Sequence, residues 1–272
     1  MAANTIRTPA ALLGTAIVAT VLAAALFAPW LAPYDPDAID VLARFATPGA
    51  AHWLGTDQLG RDLLSRLLFG ARVAMAVSGT AILLALAIGT TAGMAAASGP
   101  AWLDRAVLVL FDIVSAFPSL VLALAIVAVF GPSNAYLVGI VALTLVPQFG
   151  RVARAQTLVL RAAPFMEAER VLGAGTLRII VSHVIPNIAG PLMVLASMEI
   201  PAAITIEAGL SFIGLGVRPP LSSWGTLIYD GYAYLSDSAG PVVVASLALA
   251  VATLGFTLFG EALQRWADPR GD

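Results

Sequence analysis

The sequence predicts an all-α polytopic membrane protein with six transmembrane helices, and three observations lead there. Its 272 residues are 60% hydrophobic and only 11% charged, where a soluble domain carries about a quarter charged residues. Mean hydropathy is +0.92. Six apolar stretches alternate with polar or Gly/Pro-rich segments, and about 20 apolar residues in helix cross a hydrocarbon core of about 30 Å.

The first span covers Ala10 to Ala32 and reads as an uncleaved helix. Its apolar run is too long for a signal-peptide core, and Pro29 and Pro33 crowd the cleavage position. "YDPDAIDVLARFATPGAAHWLGTDQLGRDLLSRLLFGARV" comes next, polar enough to lie outside the bilayer. Leu63, Leu64, Leu67 and Leu68 within it predict a short amphipathic helix leading to the next span. The second span, Val73 to Ala97, contains Gly89-Thr-Thr-Ala-Gly93, a spacing that lets helix backbones approach and that also arises by chance in such compositions. The third span, Ala106 to Phe130, carries Asp112 and Pro118. After the turn "GPSN" a fourth, Ala135 to Phe149, extends as helix through Arg151 and Arg154. The fifth covers Asn187 to Leu210 with Glu199, Pro201 and Glu207. "LSFIGLGVRPPLSSWGTLIYDGYAYLSDSAG" is too irregular for a simple helix. A sixth span, Pro241 to Phe259, precedes a polar tail.

Several function classes are excluded by composition. A net charge of −2 gives no nucleic-acid footprint. Without cysteine there are no disulfides or thiolate metal sites. All fourteen basic residues are arginine, so the chain can form neither a Walker A loop nor a Schiff base. If the protein uses ATP, another polypeptide binds it. Six spans put both termini on one side, and that side carries nine arginines against five on the other. The positive-inside rule then places the termini and residues 151–188 in the cytoplasm.

"FMEAERVLGAGTLRIIVSHVIPNI", residues 165–188, holds Glu167, Glu169, Arg170 and Arg178 between two apolar spans. Each charge costs roughly 2.5–3.5 kcal/mol at the bilayer centre, so the segment belongs outside hydrocarbon. Phe165, Ala168 and Leu172 recur at helical spacing, and Gly173 and Gly175 supply a C-terminal turn. A helix this short needs a support: either the membrane surface or a partner protein.

Glu167-Ala168, then Gly173, then His183-Val-Ile-Pro186 resemble the EAA loop of binding-protein-dependent ABC importer permeases, with Glu169 and Ile185 departing from the usual alanine and leucine. "LGTDQLGRDLLSRLLFGARVAM", "EAGLSFIGLGVRPPLSSWGTLI" and "FGEALQRWADPR" are similar to signatures of the dipeptide/oligopeptide/nickel branch, in particular the C-type subunit of its permease heterodimer. The resemblance implies a type I ABC importer permease fold, with an N-terminal helix and external loop (1–72) and a five-helix core (73–272) bearing a coupling loop at about 161–186. It implies ATPase-coupling roles for Phe165, Glu167, Ala168, Glu169, Leu172, Gly173, His183 and Pro186. The implied partners are a second homologous permease, two cytoplasmic ATPase subunits that hold ATP and Mg, and an external substrate-binding protein. No cofactor is expected in this chain. The implied location is the bacterial inner membrane, and the implied cargo is di- or oligopeptides, with nickel chelates or glutathione-like peptides as alternatives.

Two other classes compete. An intramembrane protease lacks its chemistry: Ser211 sits in G-x-S-x-x-G, and His52 and His183 fall on opposite sides of the membrane. A channel or secondary transporter would use midplane ionisable residues. Asp112, Glu199 and Glu207 are the candidates for a translocation path. Asp112 also fits an interhelical hydrogen bond near the cytoplasmic interface, and Glu207 a structural role beneath the external loop. Trp224, Tyr229, Tyr232 and Tyr234 fit either a peptide-facing patch or an interfacial aromatic belt.

Overall fold

A computed structural model describes residues 8–131, 133–217 and 220–267. Arg7, Arg218 and Arg270, which enter the arginine count, and the end of the family-like tail lie outside them. The described residues are helical apart from loops, short turns and one antiparallel bridge between Thr56 and Asp62.

α1 spans Pro9–Leu31, with Thr8 capping its first turn through Ala11 N. α2 spans Leu63–Ser98, 36 residues or about 54 Å at about 1.5 Å per residue. The expected short amphipathic helix is therefore the outer part of α2. Asp62 caps it by accepting from Ser65 N at 2.8 Å, and no proline interrupts the helix beyond that cap. The helix also runs unbroken across position 72.

The third span is corrected most. Instead of one helix from Ala106 there are two, α3 (Ala101–Ala116) and α4 (Ser119–Phe130), bent by 92° at Phe117-Pro118. Pro118 has no N–H, and its ring clashes with the carbonyl four residues back, so the ladder ends there. α5 spans Asn134–Arg161 and α6 Pro164–Val171. A single turn, α7 (Thr176–Ile179), leads through a π turn, Ile180–Val184, into α8 (Ile185–Phe212). α9 (Trp224–Tyr232) gives the irregular segment before the last span a nine-residue helix, opened by a Ser223–Thr226 capping box. α10 (Gly240–Ala267) closes the fold.

Five of these segments are long and apolar enough to cross a membrane. The bent pair supplies the sixth crossing, because α2 and α5 run parallel. A Cβ on Gly89 would lie 2.6 Å from Val146 O, one on Gly93 would press into Gly150 O, and Arg161 at the end of α5 donates to Ala97 O at the end of α2. Residue numbers rise together along both helices, so the chain between them must return to the opposite face. α1 and α10 pack antiparallel through Gly14 against Leu258 and Gly255 against Ile17. α8 runs antiparallel to α2: Val184, just before α8, lines a cavity with Ser98 at the end of α2, and Ser211, near the end of α8, lines another with Arg66 at the start of α2.

α3 lies obliquely on the C-terminal part of α5. Arg154 bonds Asp104 at 2.5 and 2.7 Å, and Arg151 bonds Asp112 at 2.8 Å. An advance of about 12 Å along α3 thus matches only about 4.5 Å along α5. Phe111, at 2% exposure, fills the crossing against Gly150.

The GxxxG crossing gives the first prediction. Gly93→Leu should lower the thermal midpoint of the purified chain, because overpacking costs about 1–3 kcal/mol. Gly139→Leu, on α5 where a Cβ meets nothing within 4 Å, should leave it nearly unchanged. Equal midpoints for the two variants would contradict close α2–α5 packing.

Candidate functional site

The charged segment is built from the end of α5 outward. Past the bilayer-length part of that helix, Ala162 ends it and Pro164 starts α6 in the position where its missing N–H is harmless. Met166 is wholly buried and seats α6 on the body. The stripe read from the sequence faces outward: Phe165 is 46% exposed, Leu172 is 82% exposed, and Ala168 and Glu167 are exposed as well. Val171 and Leu177 extend this surface. Exposed apolar patches of this kind mark contact surfaces, for a protein or for the membrane face.

Gly173 sits at φ +83°, the left-handed conformation of a helix C′ position. Ala174 N donates to Glu169 O at 3.0 Å, the long bond of a Schellman turn. Gly175 has an ordinary φ of −67° and instead precedes α7. The turn therefore depends on one of the two glycines. Downstream, Pro186 deprives α8 of an N–H at its second position, and the backbone widens: Ile185 N–H donates to Ile180 O, five residues back. His183 lies in that π turn. Its Nε2 is 3.6 Å from Glu169 Oε1, and its ring meets the Phe165 ring edge-on at 6.2 Å. Arg161, Ser98, Thr176, Ile179, Ile180 and Val184 line a 110 Å³ cavity where the ends of α2, α5 and the α7–α8 junction converge.

The path candidates have different surroundings. Asp112 is paired with Arg151, which also bonds Ser115 Oγ at 3.3 Å. Glu207 is wholly buried. Its Oε1 accepts from Ser211 Oγ at 2.7 Å, and that hydroxyl accepts from Val217 N at 3.1 Å, which ties the loop after α8 back onto the helix. Glu199 is half-buried near the middle of α8, with no hydrogen bond or ion pair among the described residues. The three do not converge on a proton relay. Of the histidines, His52 Nδ1 contacts Asp62 Oδ1 at 2.9 Å and His183 contacts α6, so Ser211's hydroxyl partner is Glu207.

The opposite end of the helices, where α2 begins, holds pairings that sequence reading missed. Arg66, buried in the first turn of α2, bonds Asp57 Oδ2 at 2.5 Å and Ser222 Oγ at 3.0 Å, while Arg61 bonds Asp57 at 2.7 Å. Asp230 lies 3.4 Å from Arg61 and 3.6 Å from Arg66, at the wall of a 390 Å³ cavity. Trp224 separates from the tyrosines: it is buried and donates to Leu67 O at 3.0 Å, whereas Tyr229 and Tyr232 are exposed beside Phe212. The missed signal was a cluster of charges within "TDQLGRDLLSR", whose partners lie as far away as Ser222.

Residues 89–271 match the family described as binding-protein-dependent transport system inner membrane component, and residues 6–48 match the N-terminal transmembrane domain of oligopeptide transport permease C. The chain is 36% identical over 254 residues to a glutathione transport system permease protein, GsiD, of Pectobacterium atrosepticum, covering 93% of this chain and 84% of that one. It is 36% identical over 264 residues to a probable D,D-dipeptide transport system permease protein, DdpC, of Escherichia coli (96% and 88% covered). With a dipeptide transport system permease protein, DppC, of Alkalihalophilus pseudofirmus it shares 35% over 260 residues (96% and 86%). Among solved structures, a chain of the inward-facing MetNI methionine ABC transporter superposes with a TM-score of 0.58 at 16% identity, over 76% of this chain and 96% of that one. That likeness establishes the type I ABC permease fold.

The left-handed turn generates the second prediction. Gly173→Val should cost about 1–2 kcal/mol locally and raise deuterium uptake over residues 171–175, with membrane insertion unchanged. Gly175→Ala should behave as wild type. Undisturbed exchange in Gly173→Val would show that the turn does not need its glycine.

Proposed function

The chain belongs to the family of binding-protein-dependent transport system inner membrane components, and from that membership we propose that it is one permease subunit of an ATP-driven importer for di- or oligopeptides. The names of its relatives favour peptide cargo, with a glutathione-like peptide as the related alternative. The observation that carries the coupling role is α6, seated by Met166 yet presenting Phe165, Ala168, Val171 and Leu172 outward. A cytoplasmic ATPase covers that face, and Glu167 at its edge makes a charged contact there.

The chain makes and breaks no covalent bond in this reading. ATP and Mg reside on the ATPase pair, and a second homologous permease completes the path. An external binding protein delivers cargo to the end where Arg61, Asp230 and Tyr229 surround the larger cavity. ATP favours one of two states of its own subunits, and only a contact that differs between those states can shift the permease. Residues 161–186 are that contact. Glu199, half-buried and unpaired, faces the path rather than lipid, where an unpaired carboxylate would be costly. The division of labour runs between an N-terminal helix with its external loop (1–72) and a five-helix transport core (73–272).

This reading places both termini in the cytoplasm of a bacterial inner-membrane protein. Reporter fusions after Asp35 and Gly131 should read outside, and after Gly99 and Gly175 inside; an inside signal at Gly131 would reject the topology. Leu172→Glu and Glu167→Arg should leave insertion intact but sharply reduce co-purification of the ATPase subunits, since a buried unpaired charge at an interface costs about 2–5 kcal/mol. Wild-type recovery of the ATPase with both variants would reject docking on α6.

A further inference from the structure

α6 has one fully buried side chain among its described residues, Met166, and an eight-residue helix has little stability of its own. What connects it sideways to a membrane-crossing helix is His183. The Glu169 carboxylate stands 3.6 Å from Nε2 of that ring, and the Phe165 ring meets it edge-on. Glu169 and Phe165 are four residues apart and share one face of α6, so both grip the same imidazole. His183 in turn lies in the π turn that Pro186 accompanies, immediately before α8, where Asn187 Nδ2 holds the His183 carbonyl at 2.6 Å. π turns interrupt a helix at a single turn and are frequent at functional sites. The two side chains of the pair are 29% and 28% exposed, so the contact is partly shielded from water.

We propose that Glu169 and His183 form a clasp, the positioning contact through which displacement of α6 passes into α8. This rests on the coupling reading of α6 and adds the route by which the movement leaves it. The Met166 seat alone would let α6 rock on the body; the clasp makes α6 and the foot of α8 move together. The Phe165 ring, on the same side, limits rotation about the pair.

The test separates the clasp from docking. Deuterium exchange over residues 164–172 is measured in the full chain with its partner permease in lipid nanodiscs, without ATPase. Glu169→Gln and His183→Asn should each raise exchange about three-fold, the size expected of a partly exposed side-chain contact. The double variant Glu169→Gln/His183→Asn should add little beyond either single, and the swap Glu169→His/His183→Glu should restore protection. Wild-type exchange in the singles, additive effects, or no rescue by the swap would overturn the clasp. In the assembled importer, cargo taken up per ATP hydrolysed should fall in the singles and recover in the swap. Loosened exchange with unchanged uptake per ATP would overturn the transmission role. Because the exchange arm contains no ATPase, a failure of docking on Leu172 leaves it readable.

Discussion

At Gly89 and Gly93 the backbone of α2 comes so near α5 that one added carbon would meet a carbonyl oxygen. Hydrocarbon offers no hydrophobic drive between helices, so association depends on how closely their surfaces fit. Small residues on α2 and Gly150 on α5 supply that fit, and Phe111 of α3 fills what they leave. The parallel sense of the crossing dictates the surrounding topology. The chain must return between the two helices, which it does through a pair of helices each too short to cross alone. The same crossing brings Ala97 and Arg161 together, so α6 begins where two crossing helices end.

Charge is distributed to suit. Arg66 and Asp57 are buried, and such a pair is costly to break, about 3–5 kcal/mol for loss of one partner, but it sits in the first turn of α2 and the loop before it. Arg154–Asp104 and Arg151–Asp112 tie α3 to α5 near the other end. Between them the packed side chains are mostly alanine, glycine and branched aliphatics, with Phe149 and Phe256 among them, and Glu199 has no hydrogen bond or ion pair among the described residues. The ends are fixed by directional bonds and the middle by packing, which tolerates sliding better than a bidentate pair does.

The crossings were legible because hydropathy needs no partner: α1, α8 and α10 begin or end within a few residues of their predicted spans apart from the longer C-terminal end of α10. The break at Pro118 was not. Pro147, Pro191 and Pro201 sit inside continuous helices, and which proline breaks a helix depends on what packs around it. The GxxxG could not be told from chance until its neighbour was in place. Pairings such as Arg66–Ser222 join residues 156 apart, beyond any local pattern. At residues 165–175, the apolar spacing gave the helix and Gly173 its turn, but periodicity alone could not say which apolar residues face inward. Met166 does, and the stripe does not.

That arrangement bears on what the segment can do. Had Phe165, Ala168 and Leu172 been its seat, α6 would be part of the body, and nothing apolar would remain for a partner. With Met166 as the seat, the same eight residues have two interfaces: one buried side chain inward, several outward. α6 is joined to α5 through the chain and to α8 through His183, while Arg161 at the end of α5 bonds Ala97 at the end of α2. In the coupling role proposed for α6, a push on its outward face would act at this junction rather than on a single helix. The junction encloses a 110 Å³ cavity, so the ends of these helices are not packed solid and can shift without first breaking a dense core. Rigid crossings above and a loose junction below are what a lever needs: stiffness along the arm and freedom at the pivot.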